Sequence, residues 1–275
     1  MIYVLGATSM PGWSLIRNPE GRNLVPFCST HAKFSACEKW RRLDLENPDS
    51  YARLFKDFPP RVVVHCGGVC DVEKCEENPD WAKKINVESL AHLLKHLPAV
   101  TRLVYVSSDH VFGGGEAPYT EQVVPAPISV YGRTRVEAEN LVLSARPDAL
   151  ILRYALGIGP SVDGRSGHLD WLQYRRRKNL PITVVQDEFR SAVWTGDLAK
   201  RILEFADSDI VGLRHITATK PVSRVELAHF LNRRFNIGAN LDVALRRDRS
   251  VPHLGRVELA TVYDDPLARP LPSVV

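Results

Sequence analysis

Short apolar runs alternate with amphipathic stretches along the first half of the chain. Unbroken apolar runs of four to seven residues are typical of strands buried on both faces of a parallel sheet. The stretches between them carry apolar residues at helical spacing, and Pro59 and Pro60 end one of them. The predicted strands are residues 2–5, 24–27, 62–66, 104–107 and 150–154. The predicted helices are a segment that includes residues 13–16, and residues 49–58, 81–97 and 130–144.

The second half of the chain continues this alternation less regularly. The pattern predicts helices at residues 168–178, 197–205 and 223–235, strands at 182–185 and 214–217, and a loop over residues 113–127. Strands that alternate with helices indicate an α/β fold, here a Rossmann-type doubly wound parallel sheet with a smaller C-terminal lobe. We expect residues 1–154 to form the nucleotide-binding domain. Residues 155–275 are expected to form mainly the substrate-binding lobe, with some segments returning to the sheet.

The composition narrows the class of protein. A hydrophobic content of 44% and a charged content of 25% are typical of a folded globular chain. The net charge of +4 is too small to favour nucleic acid as a partner, and the basic run at residues 175–178 fits a solvated helix face better than a phosphate site. No apolar run reaches the roughly 18 residues that cross a bilayer, so no membrane partner is expected.

Five cysteines are an odd number for a disulfide framework, and the chain opens on a strand instead of a signal sequence. Both observations favour the reducing cytoplasm. Cys66, Cys70 and Cys75 do not have the spacing of a paired metal-binding motif, so no metal is expected.

A glycine-bearing turn directly follows the first predicted strand and opens the first helix. Glycine at its start allows a tight turn, while the helix amino terminus offers unpaired N–H groups and a positive dipole to a pyrophosphate. A turn of this kind also occurs in α/β folds that bind no nucleotide. The predicted cofactor-binding residues in it are Gly6, Ser9, Met10, Pro11 and Gly12.

Two later segments carry polar residues where a strand ends and where a helix begins. They read Ser107-Ser108-Asp109-His110-Val111-Phe112-Gly113 and Tyr131-Gly132-Arg133-Thr134-Arg135. Here the chain resembles the dTDP-4-dehydrorhamnose reductase group of extended short-chain dehydrogenases, whose pattern is close to STDxVFxG followed by VYGxxK. In that group the glycine turn reads GxxGxxG, so Ser9 replaces the middle glycine. Further matches cover nearly the whole chain: Asp44-Leu45, residues 72–76 with Asn86, residues 119–121, Leu152-Arg153, residues 197–199 and residues 221–223.

The resemblance implies hydride transfer between a nicotinamide and a ketone, with Ser108, Tyr131 and Arg135 as the catalytic residues. Tyr131 would give a proton to the developing alkoxide, and a cation one helical turn later would lower the pKa of its phenol. Ser108 would hydrogen-bond the carbonyl oxygen. The group has lysine where this chain has Arg135, and arginine is longer, planar and unable to release a proton. Either the enzyme works with a shifted active-site geometry, or it has lost catalytic activity and still binds the nucleotide.

The choice of cofactor depends on the end of the second strand. An acidic residue there would bind the ribose diol of NAD, whereas this chain has hydroxyls and a base in Ser29, Thr30 and Lys33. These residues suit the 2′-phosphate of NADP better, so NADP is the preferred cofactor and NAD is the alternative. The segment could also be a polar turn that binds no cofactor. The remaining predicted cofactor-binding residues are Asp44, Leu45, Cys66, Gly67, Gly68, Tyr131 and Arg135.

The substrate side is predicted from the same resemblance. His110, Val111 and Phe112 follow the catalytic serine, and His110 stands where sugar-nucleotide dehydratases carry glutamate, which favours simple reduction. Arg190 would bind the diphosphate of a nucleotide, or it would be an ordinary surface arginine. The leading hypothesis is that the protein reduces a 4-keto nucleotide sugar. A homodimer is one assembly that such a protein could form. The alternatives are a nucleotide-binding regulatory subunit, as in methionine adenosyltransferase, and a reductase of a non-sugar ketone.

Overall fold

The computed structural model describes residues 1–56, 59–115 and 118–275. The last two residues of the predicted helix 49–58 and two residues of the predicted loop 113–127 lie outside these ranges. In the described ranges, no helix combines the length and apolarity that a bilayer crossing requires.

Seven parallel strands form the central sheet. They are β1 (Ile2–Leu5), β2 (Leu24–Ser29), β3 (Arg41–Leu43), β4 (Val62–His65), β5 (Arg102–Ser108), β6 (Leu150–Tyr154) and β10 (Gly212–His215). Their spatial order is β10–β6–β5–β4–β1–β2–β3, and the part from β3 to β6 has the order of a Rossmann fold, so the predicted fold class is confirmed. Because all neighbouring strands are parallel, their carboxyl ends share one edge of the sheet.

Helices cover both faces of this sheet. Alternate residues of a strand point to opposite faces, so Ile2 and Val4 pack into one core and Tyr3 and Leu5 into the other. The first core lies under helices α1 (Met10–Arg17) and α8 (Thr195–Asp207). The second core lies under α2 (Pro48–Leu54), α5 (Ser89–His96) and α6 (Val130–Ala145). Two short helices, α3 (Val72–Glu77) and α4 (Pro79–Lys83), lie between β4 and α5.

A second, smaller sheet is built around β9 (Phe189–Trp194). It pairs in parallel with β7 (Leu156–Ile158) and β13 (Arg256–Val257), and antiparallel with β11 (Pro221–Ser223). A further parallel pair joins β8 (Thr183–Val185) to β12 (Asp242–Ala244). Helices α7 (Gly167–Arg177) and α9 (Arg224–Arg234) share an apolar core with these strands.

The structure differs from the sequence pattern in several elements. The strand predicted at 214–217 begins at Gly212 and pairs with β6, as the edge strand of the central sheet. The helix predicted at 81–97 begins at Pro79 and contains a π-helical turn, Lys84–Glu88. Strand β9 was not predicted, because Arg190 and Ser191 are buried in its middle and interrupt the apolar pattern. The other elements without a prediction are short: β3, α3, β7, β11, β12 and β13.

Candidate active site

The glycine turn after β1 fits tightly against the end of β4. Gly6 has φ +76°, and a Cβ built on it would lie 2.4 Å from the Cα atom of Gly67. A Cβ on Gly12 would lie 2.3 Å from the carbonyl oxygen of Gly6. Both positions therefore require glycine, which brings the amino terminus of α1 next to the carboxyl ends of two strands.

Ser9 is the N-cap of α1. Its Oγ accepts a hydrogen bond from the Gly12 N–H at 3.2 Å, so the serine side chain satisfies one of the unpaired amides of the first helical turn. The side chains of Ser9 and Met10 line the cavity described below, while Pro11 is buried beneath it. Ser9 therefore keeps the helix start ordered and also takes up a donor that a phosphate could use.

The segment after β4 forms a second glycine-rich turn. Gly68 has φ +124°, and a Cβ on it would lie 2.5 Å from the Asn86 Oδ1 atom and 3.0 Å from the Arg135 Nη2 atom. Asn86 holds this turn in place, because its amide bonds the Val69 backbone N–H at 2.8 Å and carbonyl at 3.0 Å. The neighbouring Cys66 is buried, and burial raises the pKa of its thiol to about 12.

A cavity of about 720 Å³ opens at the carboxyl edge of the central sheet, between the glycine turn and the smaller sheet. Six of the residues predicted from the sequence line it: Ser9, Met10, Ser108, His110, Tyr131 and Arg190. Phe34, on the loop that follows Ser29 and Thr30, extends the wall toward the ends of β2 and β3.

Several other predicted residues lie outside the cavity lining. Asp44 and Leu45 follow β3, and the Asp44 carboxylate accepts the Glu46 backbone N–H at 3.0 Å within a turn. Val111 and Phe112 are fully buried, in an apolar cluster with Tyr119 and Leu254. They support the wall from behind.

Tyr131 and Arg135 lie one turn apart near the start of α6, a helix that begins at the capping residue Ser129. The Arg135 guanidinium lies 5.1 Å from the centre of the Tyr131 ring. Its Nη1 donates to the Tyr105 hydroxyl at 2.8 Å, and its buried Nε has no partner among the described residues. Burial works against the charge on Arg135, but the phenols of Tyr105 and Tyr131 raise its pKa above its ordinary value.

The phenol of Tyr131 stays protonated at neutral pH. Burial raises its pKa, and the charge of Arg135 and hydrogen bonding to Ser108 and Arg135 offset only part of this rise. The sequence had suggested a lowered pKa, because burial cannot be read from the spacing of two residues on a helix. A protonated phenol at the cavity wall is the form that can donate a proton to an alkoxide.

Ser108 ends β5 beside Tyr131. Its hydroxyl accepts the His110 backbone N–H at 3.2 Å and lies 3.3 Å from an oxygen of Asp109. The His110 ring packs edge-on against Tyr131, with ring centres 5.1 Å apart. Burial lowers the pKa of His110, and the charge of Arg190 lowers it further, so the imidazole is neutral and its buried Nδ1 is unpartnered in the described ranges.

Arg190 is 2% exposed, so the alternative of an ordinary surface arginine is wrong. Its guanidinium bonds both oxygens of the fully buried Asp109, one of them at 2.5 Å from Nε, and donates from Nη1 to Glu188 at 3.0 Å. Burial disfavours this charge, but Asp109 and Glu188 raise the pKa of Arg190. The residue joins the end of β5 to β9.

Sequence reasoning missed most of the cavity lining, including four ionisable residues near Arg190: His168, Glu188, Arg224 and His253. They come from α7, the residue before β9, α9 and a late loop, and no local motif connects them. Glu188 accepts from His253 Nδ1 at 2.8 Å, and Arg224, His253 and Arg190 hold its pKa well below the usual range although burial favours the neutral acid. Within the described ranges, no group of three candidate ligands could hold a metal ion.

Comparison with known proteins assigns the chain to a family. Residues 1–260 match the family model described as "RmlD substrate binding domain". The chain belongs to this family. It is therefore an extended short-chain dehydrogenase/reductase of the RmlD type.

Two curated relatives show how far the similarity extends. The chain is 35% identical over 159 residues to methionine adenosyltransferase 2 subunit beta of Pongo abelii, a match that covers 58% of this chain and 47% of that protein. It is 32% identical over 212 residues to the probable dTDP-4,6-dihydroxy-2-methyloxan-3-one 4-ketoreductase of Streptomyces antibioticus, which covers 76% of this chain and 71% of that protein. The match thus spans about half the length of the first relative and more of the second.

A solved structure has the same fold. The dTDP-4-dehydrorhamnose reductase of Bacillus anthracis, determined in complex with NADP, superposes with a TM-score of 0.83 at 22% identity. The superposition covers 99% of this chain and 94% of that one. At this identity the likeness establishes the architecture of the chain.

Proposed function

We propose that this protein is an NADP(H)-dependent reductase that converts the 4-keto group of a nucleotide-linked sugar to an alcohol. One observation carries the proposal: Tyr131 and Ser108 line a large cavity at the amino terminus of α1, and the Arg135 guanidinium lies 5.1 Å from the centre of the Tyr131 ring. The names of the Streptomyces and Bacillus relatives support the reaction and the class of substrate.

The residues of the cavity edge fit a dinucleotide. The glycines of both turns let the amino terminus of α1 and the end of β4 pack closely at the cavity edge, and the Nε of Arg135 is a buried donor without a partner among the described residues. The segment of residues 28–33 carries no carboxylate and contains Ser29, Thr30 and Lys33, which favours the 2′-phosphate of NADP. NADP in the Bacillus structure supports the same choice. Asp44, Leu45, Cys66, Gly67 and Gly68 complete the proposed cofactor-binding edge.

In the proposed reaction, side chains of the protein supply the proton that the carbonyl oxygen takes up. The nicotinamide supplies a hydride when it is bound. Ser108 orients the carbonyl oxygen by a hydrogen bond, and Tyr131 donates its phenolic proton to that oxygen. The guanidinium of Arg135 stabilises the phenolate that remains, and His110 lies on the substrate side of the phenol.

The test combines binding and turnover. We expect NADPH to bind the purified protein and to be oxidised with at least one member of a panel of nucleotide 4-keto sugars. Tyr131→Phe should lower kcat by about 100-fold or more, the usual contribution of a general acid, with a much smaller change in NADPH affinity. Tyr263→Phe, at an exposed tyrosine, is the control. Oxidation of NADPH at the original rate by Tyr131→Phe would contradict the proposal.

A second function is favoured by the position of Arg135. The family lysine is replaced by a guanidinium that is bonded to Tyr105 inside the core, and one relative is named as a subunit of methionine adenosyltransferase. A binding protein with weakened catalysis would fit both observations. Arg135→Lys separates the two functions, because a large gain in turnover would indicate a weakened site and a loss would identify arginine as the working residue. A non-sugar ketone as substrate would show as turnover outside the nucleotide panel.

We also propose that residues 1–154 bind the cofactor and that residues 155–275 mainly form the substrate lobe, with β10 returning to the central sheet. The five free cysteines support a reducing cytoplasm as the location. A homodimer, the assembly expected from the sequence, is tested by measuring the mass of the protein in solution.

A further inference from the structure

The arginine that sequence reasoning assigned to the substrate is already bonded to two buried carboxylates. Nε and Nη2 of Arg190 bond the two oxygens of Asp109, and Nη1 bonds Glu188. These bonds use three of the five N–H groups of the guanidinium, and the two carboxylates balance its charge. Arg190 therefore neutralises Asp109 and joins β9 to the end of β5, so a cation with fewer partners is the better candidate for binding an anionic substrate group.

Arg224, the first residue of α9, lies on the other side of Glu188 and lines the cavity. Its Nη1 lies 3.5 Å from the Glu188 Oε1 atom, which already accepts from Arg190 at 3.0 Å. The other Glu188 oxygen accepts from His253. Arg224 has no closer acceptor among the described residues, and its side chain is 26% exposed. Its N–H donors therefore face the cavity with their hydrogen-bonding capacity largely unused.

His168, near the start of α7, adds a second unused donor to the same wall. Its Nε2 is buried and has no partner in the described part of the chain. Burial and the charge of Arg224 lower the pKa of His168, so the ring is neutral and can donate an N–H. Buried polar atoms without a partner are rare in folded proteins, and one at a cavity wall indicates where a ligand completes the bond.

The cavity connects this wall to the catalytic phenol. From the Tyr131 ring, successive contacts run 5.1 Å to the His110 ring, 3.5 Å to Arg190, 3.0 Å to Glu188 and 3.5 Å to Arg224. A ketone at Tyr131 and a charged group at Arg224 can thus belong to one molecule that lies across His110.

We propose that Arg224 and His168 form the subsite for the anionic group of the substrate, and that this group is the diphosphate of a nucleotide sugar. The proposal rests on the proposed function and names the residues that select its substrate. A forked guanidinium with free donors suits phosphate oxygens, a neutral imidazole adds a further hydrogen bond, and Arg249 places a second cation at the cavity. A carboxylate on the sugar ring is the other source of the same chemistry.

Calorimetric titration of the purified full chain tests this subsite, with thymidine diphosphate, thymidine and glucuronate as probes and with NADPH both present and absent. We expect thymidine diphosphate to bind the unaltered chain, and we expect Arg224→Gln to raise its Kd by about tenfold or more. Arg233→Gln, which removes the same charge from an exposed position on the same helix, should change the Kd by less than about twofold. Thymidine should bind weakly, with no difference between Arg224→Gln and the unaltered chain.

Two further variants distinguish the loss of a phosphate contact from misfolding of the protein. Arg224→Lys keeps the charge but loses the fork, so it should recover part of the affinity. His168→Leu should weaken thymidine diphosphate binding several-fold. A thermal unfolding curve and NADPH binding should match those of the unaltered chain in each variant.

Three outcomes would overturn the subsite. They are equal binding of thymidine diphosphate by Arg224→Gln and the unaltered chain, binding of neither anion, or binding of glucuronate alone. Failure to bind NADPH would instead contradict the proposed reductase, and the titrations without NADPH would still report on Arg224.

Discussion

Arg135 donates a hydrogen bond from Nη1 to the hydroxyl of Tyr105 at 2.8 Å, inside the second core. Tyr105 is fully buried in β5, two residues before the strand reaches Ser107, and its ring stacks on His65 at 5.5 Å. This bond fixes the guanidinium beside the Tyr131 ring. A strand residue outside the cavity thereby determines where the positive charge of the site lies.

Removal of that hydroxyl should impair turnover more than cofactor binding. We expect Tyr105→Phe to lower kcat by roughly tenfold, because loss of one hydrogen bond to a charged group costs about 1.5 kcal/mol. NADPH affinity should change less. In an Arg135→Lys background the same substitution should have little further effect, since the bond it removes is already lost. Tyr51→Phe, at another fully buried tyrosine of the same core, is the control, and full additivity of Tyr105→Phe with Arg135→Lys would contradict this account.

The close approach at Gly6 predicts a large steric cost for alanine. Gly6→Ala would place a Cβ 2.4 Å from the Gly67 backbone, so we expect a loss of several kcal/mol in the free energy of unfolding and loss of NADPH binding. Gly21→Ala is a matched control, because Gly21 has φ +74° and no atom within 4 Å of an added Cβ. It should cost only about 1 to 2 kcal/mol of backbone strain. Urea unfolding of both variants separates the two effects, and equal losses would exclude the steric explanation.

The Ser9 hydroxyl accepts the Gly12 N–H, a donor that a cofactor phosphate would otherwise be able to use. Ser9→Gly should release this N–H to a phosphate and lower the Kd of NADPH by roughly threefold, at a cost of a few tenths of a kcal/mol in helix capping. Ser9→Ala loses the cap but keeps a Cβ, so it should destabilise the protein by about 1 kcal/mol. Fluorescence titration with NADPH measures the affinities. Weaker binding by Ser9→Gly would show that the serine hydroxyl itself serves the phosphate.

His65 makes the stability of the protein depend on pH. Burial, together with the charge of Arg135, lowers the pKa of His65 from 6.5 to about 4. Because the folded pKa is below the unfolded one, the neutral histidine contributes about 3 kcal/mol to the free energy of unfolding above pH 6.5, and this contribution is lost as the pH falls from 6.5 to 4. About 2 kcal/mol of it should disappear between pH 7 and pH 5.

Replacement of this histidine should remove that part of the pH dependence. Urea unfolding of His65→Phe should show a difference between pH 7 and pH 5 that is smaller by about 2 kcal/mol than in the unaltered chain. His229→Phe, at an exposed histidine of α9, should leave the difference as it was. An unchanged difference in His65→Phe would mean that His65 has the same pKa in the folded and the unfolded protein.

The sequence predicted the central sheet because its strands contain unbroken apolar runs, as in Val62, Val63 and Val64 of β4. It also brought Tyr131 and Arg135 together correctly, since residues four apart share a helix face. It could not show that Arg190 is buried against Asp109, because that pair joins residues 81 positions apart, one in β9 and one in the turn after β5. The roles suggested for Tyr105 and Arg224 were invisible for the same reason: each depends on a partner from a distant segment.

The position of β10 at the edge of the central sheet affects how the chain folds during synthesis. Its partner β6 ends at Tyr154, and the chain then forms β7, α7, β8, β9 and α8 before Gly212 returns to complete the pairing. During synthesis on a ribosome, the N-terminal half therefore emerges with one β6 border unpaired, and such borders attract foreign strands. A chain truncated after residue 154 would keep that border open permanently, and it should aggregate.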